Sequence, residues 1–149
     1  MIKRCAFTGH RDLGGKFDYN LLDRVILNLV KSGVTEFYCG MAVGFDMAAA
    51  ECVLACKNEY GVKLCACIPC PEQIKNYGSA DKLRYERILK RCDEIIVLSE
   101  NYYKGCMLAR DRFMVDNCDV LLSYLRKDSG GTFYTVKYAE RKNIKIISI

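Results

Sequence analysis

The chain has 149 residues, 51% hydrophobic and 28% charged, with only two prolines, which fits one folded domain over residues 1–149 and excludes a disordered or low-complexity protein. Its formal net charge of +5 arises from 23 bases among 18 acids, interspersed along the chain, so a small anionic ligand suits it better than a polyanion channel. No apolar run approaches the roughly 18 to 20 residues of a membrane span, and Met1-Ile2-Lys3-Arg4 leads into a strand rather than a signal-peptide hydrophobic region, so the expected location is the cytoplasm.

Ile2 and Cys5-Ala6-Phe7 form a short apolar strand that leaves through a polar loop, Thr8-Gly9-His10-Arg11. From Asp18 to Ser32 the apolar residues Leu21, Leu22, Val25, Ile26, Leu29 and Val30 recur at helical spacing, and Gly33 ends the helix. Glu36 to Cys39 is strand two. Gly40-Met41-Ala42-Val43-Gly44-Phe45-Asp46 then turns into helix two, Phe45 to Tyr60, whose run of alanines suits close packing on a sheet. Gly40 and Gly44 allow a tight turn and close approach of a ligand, and Asp46 is a suitable N-cap. Lys63 to Ile68 is strand three, stopped by Pro69 and Pro71; Ser79 to Arg91 is a charged amphipathic helix; Glu94 to Leu98 is strand four. The polar loop Ser99 to Lys104, with Asn101, Tyr102 and Tyr103, leads to helix four, Gly105 to Asn117. Strand five is Val120 to Tyr124. Gly130-Gly131-Thr132 opens helix five, which runs to about Lys142, and Lys145 to Ile149 is strand six.

Strands of four to six residues alternating with helices predict βαβ units, hence an α/β fold. The expected architecture is a Rossmann-like three-layer α/β/α sandwich with a mainly parallel sheet in the order 3-2-1-4-5-6, and with ligand between strands one and four beyond their carboxyl ends. Ten cysteines follow the elements rather than a disulfide framework and read as small buried hydrophobes. Cys65-x-Cys67-x-x-Cys70 lacks the spacing of a zinc knuckle and a nearby histidine, so no metal is expected.

The candidate ligand-binding residues cluster in loops at carboxyl ends of strands. Thr8, Gly9, His10 and Arg11 offer a hydroxyl, an open backbone, the only histidine and a guanidinium fork. Gly40, Ala42, Gly44 and Asp46 form the second loop. Gly130, Gly131 and Thr132 form the third, a helix start suited to phosphate, with Thr132 as cap and hydroxyl donor. Tyr102 and Tyr103, in the loop after strand four, lie where a nucleobase could stack or could pack on the core, and Asn101 beside them is a further candidate. In helix four, Arg110 shares a face with Met114, whereas Arg112 shares one with Asp116 and could simply pair with it. His10 has no paired Ser or Cys nucleophile, and no catalytic residue is assigned.

Thr8-Gly9-His10-Arg11, Gly40 to Asp46 with Ala49-Ala50-Glu51, Ala109 to Asp116, and Gly130-Gly131-Thr132 together resemble the SLOG superfamily in its YpsA-type branch. The resemblance implies a Rossmann-like fold that binds nucleotide-derived ligands, with relatives that include the LOG phosphoribohydrolases and the DNA-processing protein DprA. It also suggests a homodimer, the commonest assembly. Arg110 and Met114 match the arginine and methionine of the LOG helix that precedes the glycine loop. The Pro-Gly-Gly-x-Gly-Thr-x-x-Glu loop of those enzymes is reduced here to Gly130-Gly131-Thr132-Phe133-Tyr134-Thr135, without the proline, the third glycine or the glutamate. An acid such as Glu51, Asp46 or Asp116 would have to replace that glutamate. The leading expectation is a binding or sensing protein for an ADP-ribose-like or NAD-like molecule. A phosphoribohydrolase-type enzyme and a DprA-type single-stranded nucleic-acid binder are the alternatives.

Overall fold

Each strand is too short to bury itself and is followed by a helix that returns the chain to the same end of the sheet, so neighbouring strands pair parallel. The computed structural model describes every residue from Met1 to Ile149. In chain order it contains β1 (Arg4–Gly9), α1 (Tyr19–Lys31), β2 (Glu36–Cys39), α2 (Phe45–Tyr60), β3 (Lys63–Ile68), a 3-10 turn (Pro71–Ile74), α3 (Ser79–Lys90), β4 (Glu94–Val97), α4 (Cys106–Asp116), β5 (Val120–Tyr124), α5 (Gly130–Arg141) and β6 (Lys145–Ser148). All six strands are parallel, so the Rossmann-like α/β architecture expected from the sequence is present.

The strand order is β4-β3-β2-β1-β5-β6, which corrects the expected 3-2-1-4-5-6. The chain keeps winding outward through β4 and only then crosses back, so β5 and not β4 lies beside β1. Two aspartates, each just ahead of a strand, bond across to the neighbouring elements in these seats. The Asp93 carboxylate accepts the Leu64 N–H at 2.9 Å and the Lys57 ammonium at 2.7 Å, tying the start of β4 to β3 and α2. The Asp119 carboxylate accepts the Arg4 N–H at 2.8 Å, tying the start of β5 to β1.

Side chains alternate across the sheet with the period of two that strands impose. Cys5 and Phe7 point into a core of 26 buried residues shared with α1, α2 and α3, while Ala6 joins a smaller cluster of 10 under α4 and α5. The larger cluster makes α2 the central helix. Ala48, Ala49 and Ala50 are buried there, and their small side chains let the helix lie close against its neighbours. All ten cysteines are free thiols, and no group of three or more His, Cys, Asp or Glu side chains is placed to hold a metal. No helix is long and apolar enough to cross a membrane.

Burial pushes the Asp93 carboxyl up, but its bonds from Lys57 and Leu64 outweigh that and hold it below the ordinary range. A depressed carboxyl adds stability above its unfolded value, and that stability is lost as pH falls through the folded one. Asp93→Ala is therefore expected to lower stability by about 1–3 kcal/mol at pH 7. In urea unfolding curves the deficit should shrink below pH 4 and be smallest near pH 2.

Candidate functional site

The connection after β1 runs to β2 on one side and that after β5 runs to β6 on the other, so the loops diverge and leave a crevice at the carboxyl edge. A cleft of about 440 Å³ opens there, at the switch between β1 and β5 rather than between strands one and four. Thr8, Gly9, His10, Arg11, Ala42, Asp46, Arg110, Gly130, Gly131 and Thr132 all line it.

Contacts between the first two loops fix one wall. Gly9 ends β1 directly against the Phe45 ring, where a Cβ would overlap it. Gly44 has φ +89° and sits on the carbonyls of His10 and Arg11, so that position also excludes a side chain, and Phe45 N–H donates to His10 O at 3.1 Å. His10 Nε2 accepts the Arg126 N–H at 2.8 Å, joining the β1 and β5 loops. Burial, with the nearby cations Lys127 and Arg126, holds this imidazole below its usual range and so neutral. Its role in the fold is a brace between the two loops.

Gly40 is a junction rather than a gap for a ligand. Its carbonyl accepts the Gln73 side-chain N–H at 2.7 Å and a guanidinium N–H of Arg110. A Cβ at Gly40 would lie 2.8 Å from Arg110 Cζ, so the glycine makes room for an arginine of the protein itself. Met41, next in the chain, holds φ +62° while fully buried, and its carbonyl accepts the Tyr77 hydroxyl at 3.1 Å. Arg110 is 5% exposed; it also reaches Cys67 O at 3.5 Å and the Asp111 carboxylate at 2.7 Å, while the Thr135 hydroxyl lies between Gly131 O at 2.8 Å and the other Asp111 oxygen at 3.2 Å. Its hydrogen bonds thus go largely to the protein.

Asp46 does not cap α2, whose N-cap is Gly44. It accepts the Ala42 N–H at 3.2 Å and so closes the Gly40 turn. Its second oxygen has no protein partner and faces the cleft. Burial pushes this carboxyl up to about 7, with Asp111 adding to the shift and Arg110, the Ala42 N–H and Arg11 opposing it. Of the three acids considered for the missing glutamate, Asp46 alone lines the cleft. Glu51 pairs with Arg84 and Asp116 with Tyr138 and Lys142.

The opposite wall is the start of α5. Gly130 has φ +91°, a left-handed value that favours glycine, and no side chain caps the helix, so the first turn keeps its N–H groups for another partner. Thr132 is buried two residues into the helix and is not the cap; the N-cap position is Ser129. Lys127 adds positive charge on this side, and Arg11 adds it to the cleft from the β1 loop. Five predicted residues do not line the cleft: Gly40 and Gly44, which pack against the protein, and Arg112, Asn101 and Tyr102. Arg112 donates to the Tyr134 hydroxyl at 2.9 Å instead of pairing with Asp116, and Asn101 is held in its loop by Ser99. Tyr102 lines a neighbouring hollow. Sequence reasoning missed Asp111, Lys127 and Ser129. Lys127 precedes the glycine pair by three residues, which is the one signal that marked it.

A raised carboxyl adds stability below its unfolded value, and that stability is lost as pH rises through the folded one. Wild type should therefore lose up to about 4 kcal/mol relative to Asp46→Asn between pH 4 and pH 8, since each tenfold change in a proton-binding equilibrium is worth about 1.4 kcal/mol. Paired unfolding curves across that range check it. Parallel curves would mean that Asp46 stays ionised.

The YspA SLOG family model matches residues 9–148. A UPF0398 protein of Listeria monocytogenes serotype 4a (strain HCC23) is 29% identical over 117 residues, 76% of this chain and 65% of its own length, so the chain spans slightly less than two thirds of that relative. DNA processing protein A of Helicobacter pylori, described for its single-stranded DNA binding mode, superposes with a TM-score of 0.75 at 20% identity over 98% of this chain and 64% of its own. A molybdenum cofactor binding protein of Rippkaea orientalis superposes with a TM-score of 0.64 at 15% identity over 99% of this chain and 76% of its own. Those two likenesses show the fold alone. The family match covers nearly the whole chain and includes every loop of the cleft, and the chain belongs to the YspA SLOG family.

Proposed function

We propose that this chain binds a nucleotide-derived ligand of the ADP-ribose or NAD type, with a phosphate seated at the start of α5. The observation that carries the reading is an uncapped helix start facing a cleft, lined also by Lys127 and Arg11, at the switch point of a parallel sheet. Free N–H groups and the positive end of a helix dipole favour an anion there. A Cβ built on Gly131 meets nothing within 4 Å, so the space beside that backbone belongs to the cleft. The acids Asp12, Asp46 and Asp111 in the same cleft argue against a polyanion track and place single-stranded nucleic acid behind a small ligand.

A thermal-shift panel of ADP-ribose, NAD, AMP and ribose 5-phosphate tests the reading. A ligand at 100 times its Kd should stabilise by about 2.7 kcal/mol. Gly131→Val should keep its circular dichroism and lose the response, and Thr132→Val should bind about tenfold more weakly, the factor for ~1.4 kcal/mol. No response to any of the four ligands, or an unchanged response in Gly131→Val, would overturn it.

One observation favours hydrolysis as a second reading. Asp46 combines a carboxyl pushed up to about 7 with an oxygen facing the cleft, as a general acid working near neutrality would. Purified protein should then release base from nucleoside monophosphates, and Asp46→Asn should release none above background. Equal release by both proteins would remove this role from Asp46.

A further inference from the structure

A second hollow of about 300 Å³ adjoins the cleft, and Arg11 and Met107 line both. Its remaining walls come from the segment after β3, with Gln73, Lys75, Asn76 and Tyr77, and from Tyr102 in the loop after β4. The α5 cradle follows β5. From β5 to β3 the sheet crosses three strand spacings, about 14 Å at ~4.8 Å each. The two hollows therefore form a trough along the carboxyl edge, long enough for an extended nucleotide.

The chemistry of the second hollow differs from that of the first. Tyr102 is 57% exposed and stacks on no other aromatic ring of the protein. Its loop is held in place, because the Tyr102 N–H donates to the Glu72 carboxylate at 3.3 Å and the Ser99 hydroxyl donates to Asn101 O at 2.7 Å. An open ring on a braced loop is a stacking platform for a planar group. Gln73 is 6% exposed, and its amide orientation is set by Gly40, whose carbonyl can only accept and so takes the Gln73 N–H. Gln73 Oε1 is left as a buried acceptor with no partner in the protein.

We propose that the second hollow is the base subsite of the same ligand: the nucleotide lies along the trough with its phosphate at α5 and its base on the Tyr102 ring. This rests on the reading of the first cleft as a phosphate site. It adds that the base is recognised, by stacking.

Titration calorimetry at one fixed salt concentration tests it with AMP and ribose 5-phosphate. AMP should bind at least tenfold more tightly than ribose 5-phosphate, a modest share of what base stacking on an aromatic ring supplies. Tyr102→Ala should cancel that advantage and leave ribose 5-phosphate unchanged, whereas Tyr102→Phe, which keeps the ring, should retain it. If ribose 5-phosphate binds but AMP binds no more tightly, or if Tyr102→Ala keeps the full advantage, the base subsite is overturned while the phosphate site stands. If no phosphate compound binds wild type, the phosphate site itself falls, and the base subsite with it.

Discussion

The buried guanidinium of Arg110 is the contact on which the carboxyl end of this sheet depends. It sits on α4, the helix that brings the chain back from the β4 edge, and it bonds to the carbonyls of Gly40 after β2 and Cys67 in β3. Desolvation opposes a charge in this place. Asp111, Asp46 and the hydrogen bond to Asp111 outweigh it and leave the guanidinium more firmly protonated than in water. A buried charge with its donors matched in this way is costly to truncate, because its partners would be left without compensation. It pins α4 across the ends of β2 and β3, and so sets the depth of the cleft beside β1 and β5.

The glycines show why a loop that looks ligand-ready can serve the fold instead. Gly9, Gly40 and Gly44 have no room for a Cβ because the Phe45 ring, Arg110 and the His10 and Arg11 carbonyls already occupy that space. Gly131 has nothing near it, and its missing side chain leaves space in the cleft. All four appear in the sequence as glycines at carboxyl ends of strands. What distinguishes them is the three-dimensional neighbour, and no local pattern encodes it.

The same contrast separates what was legible from what was not. Element positions follow hydrophobic periodicity and turn residues, and the observed strands and helices begin and end within about three residues of the expected ones. Lateral strand order does not follow from periodicity. Glu94 to Val97 looks as apolar as a central strand, yet Ile95 and Val97 are about half exposed at the sheet edge, where Asp93 bonds to Leu64 of β3. In the cleft, the three loops were readable from glycine, threonine and basic residues. Asp111 was not, because an acid beside an arginine on a helix reads as a surface pair until its neighbours are known. The cap roles of Asp46 and Thr132 failed for a related reason: Gly44 and Ser129 are the N-caps, which moves both side chains into the first turns of their helices.

The Gly40 carbonyl ties the cleft to the hollow beside it. It accepts from Arg110, which lines the cleft, and from Gln73, which lines the hollow with Tyr102. The adjoining Met41 keeps a left-handed backbone that is uncommon for a non-glycine residue, and Tyr77 holds its carbonyl. A buried residue held in this way has little freedom to relax, so the turn between the two hollows is set before any ligand arrives. A site fixed in this way spends little binding free energy on ordering itself. Selection among ligands then falls on length, because a molecule too short to reach Tyr102 gains nothing from its ring.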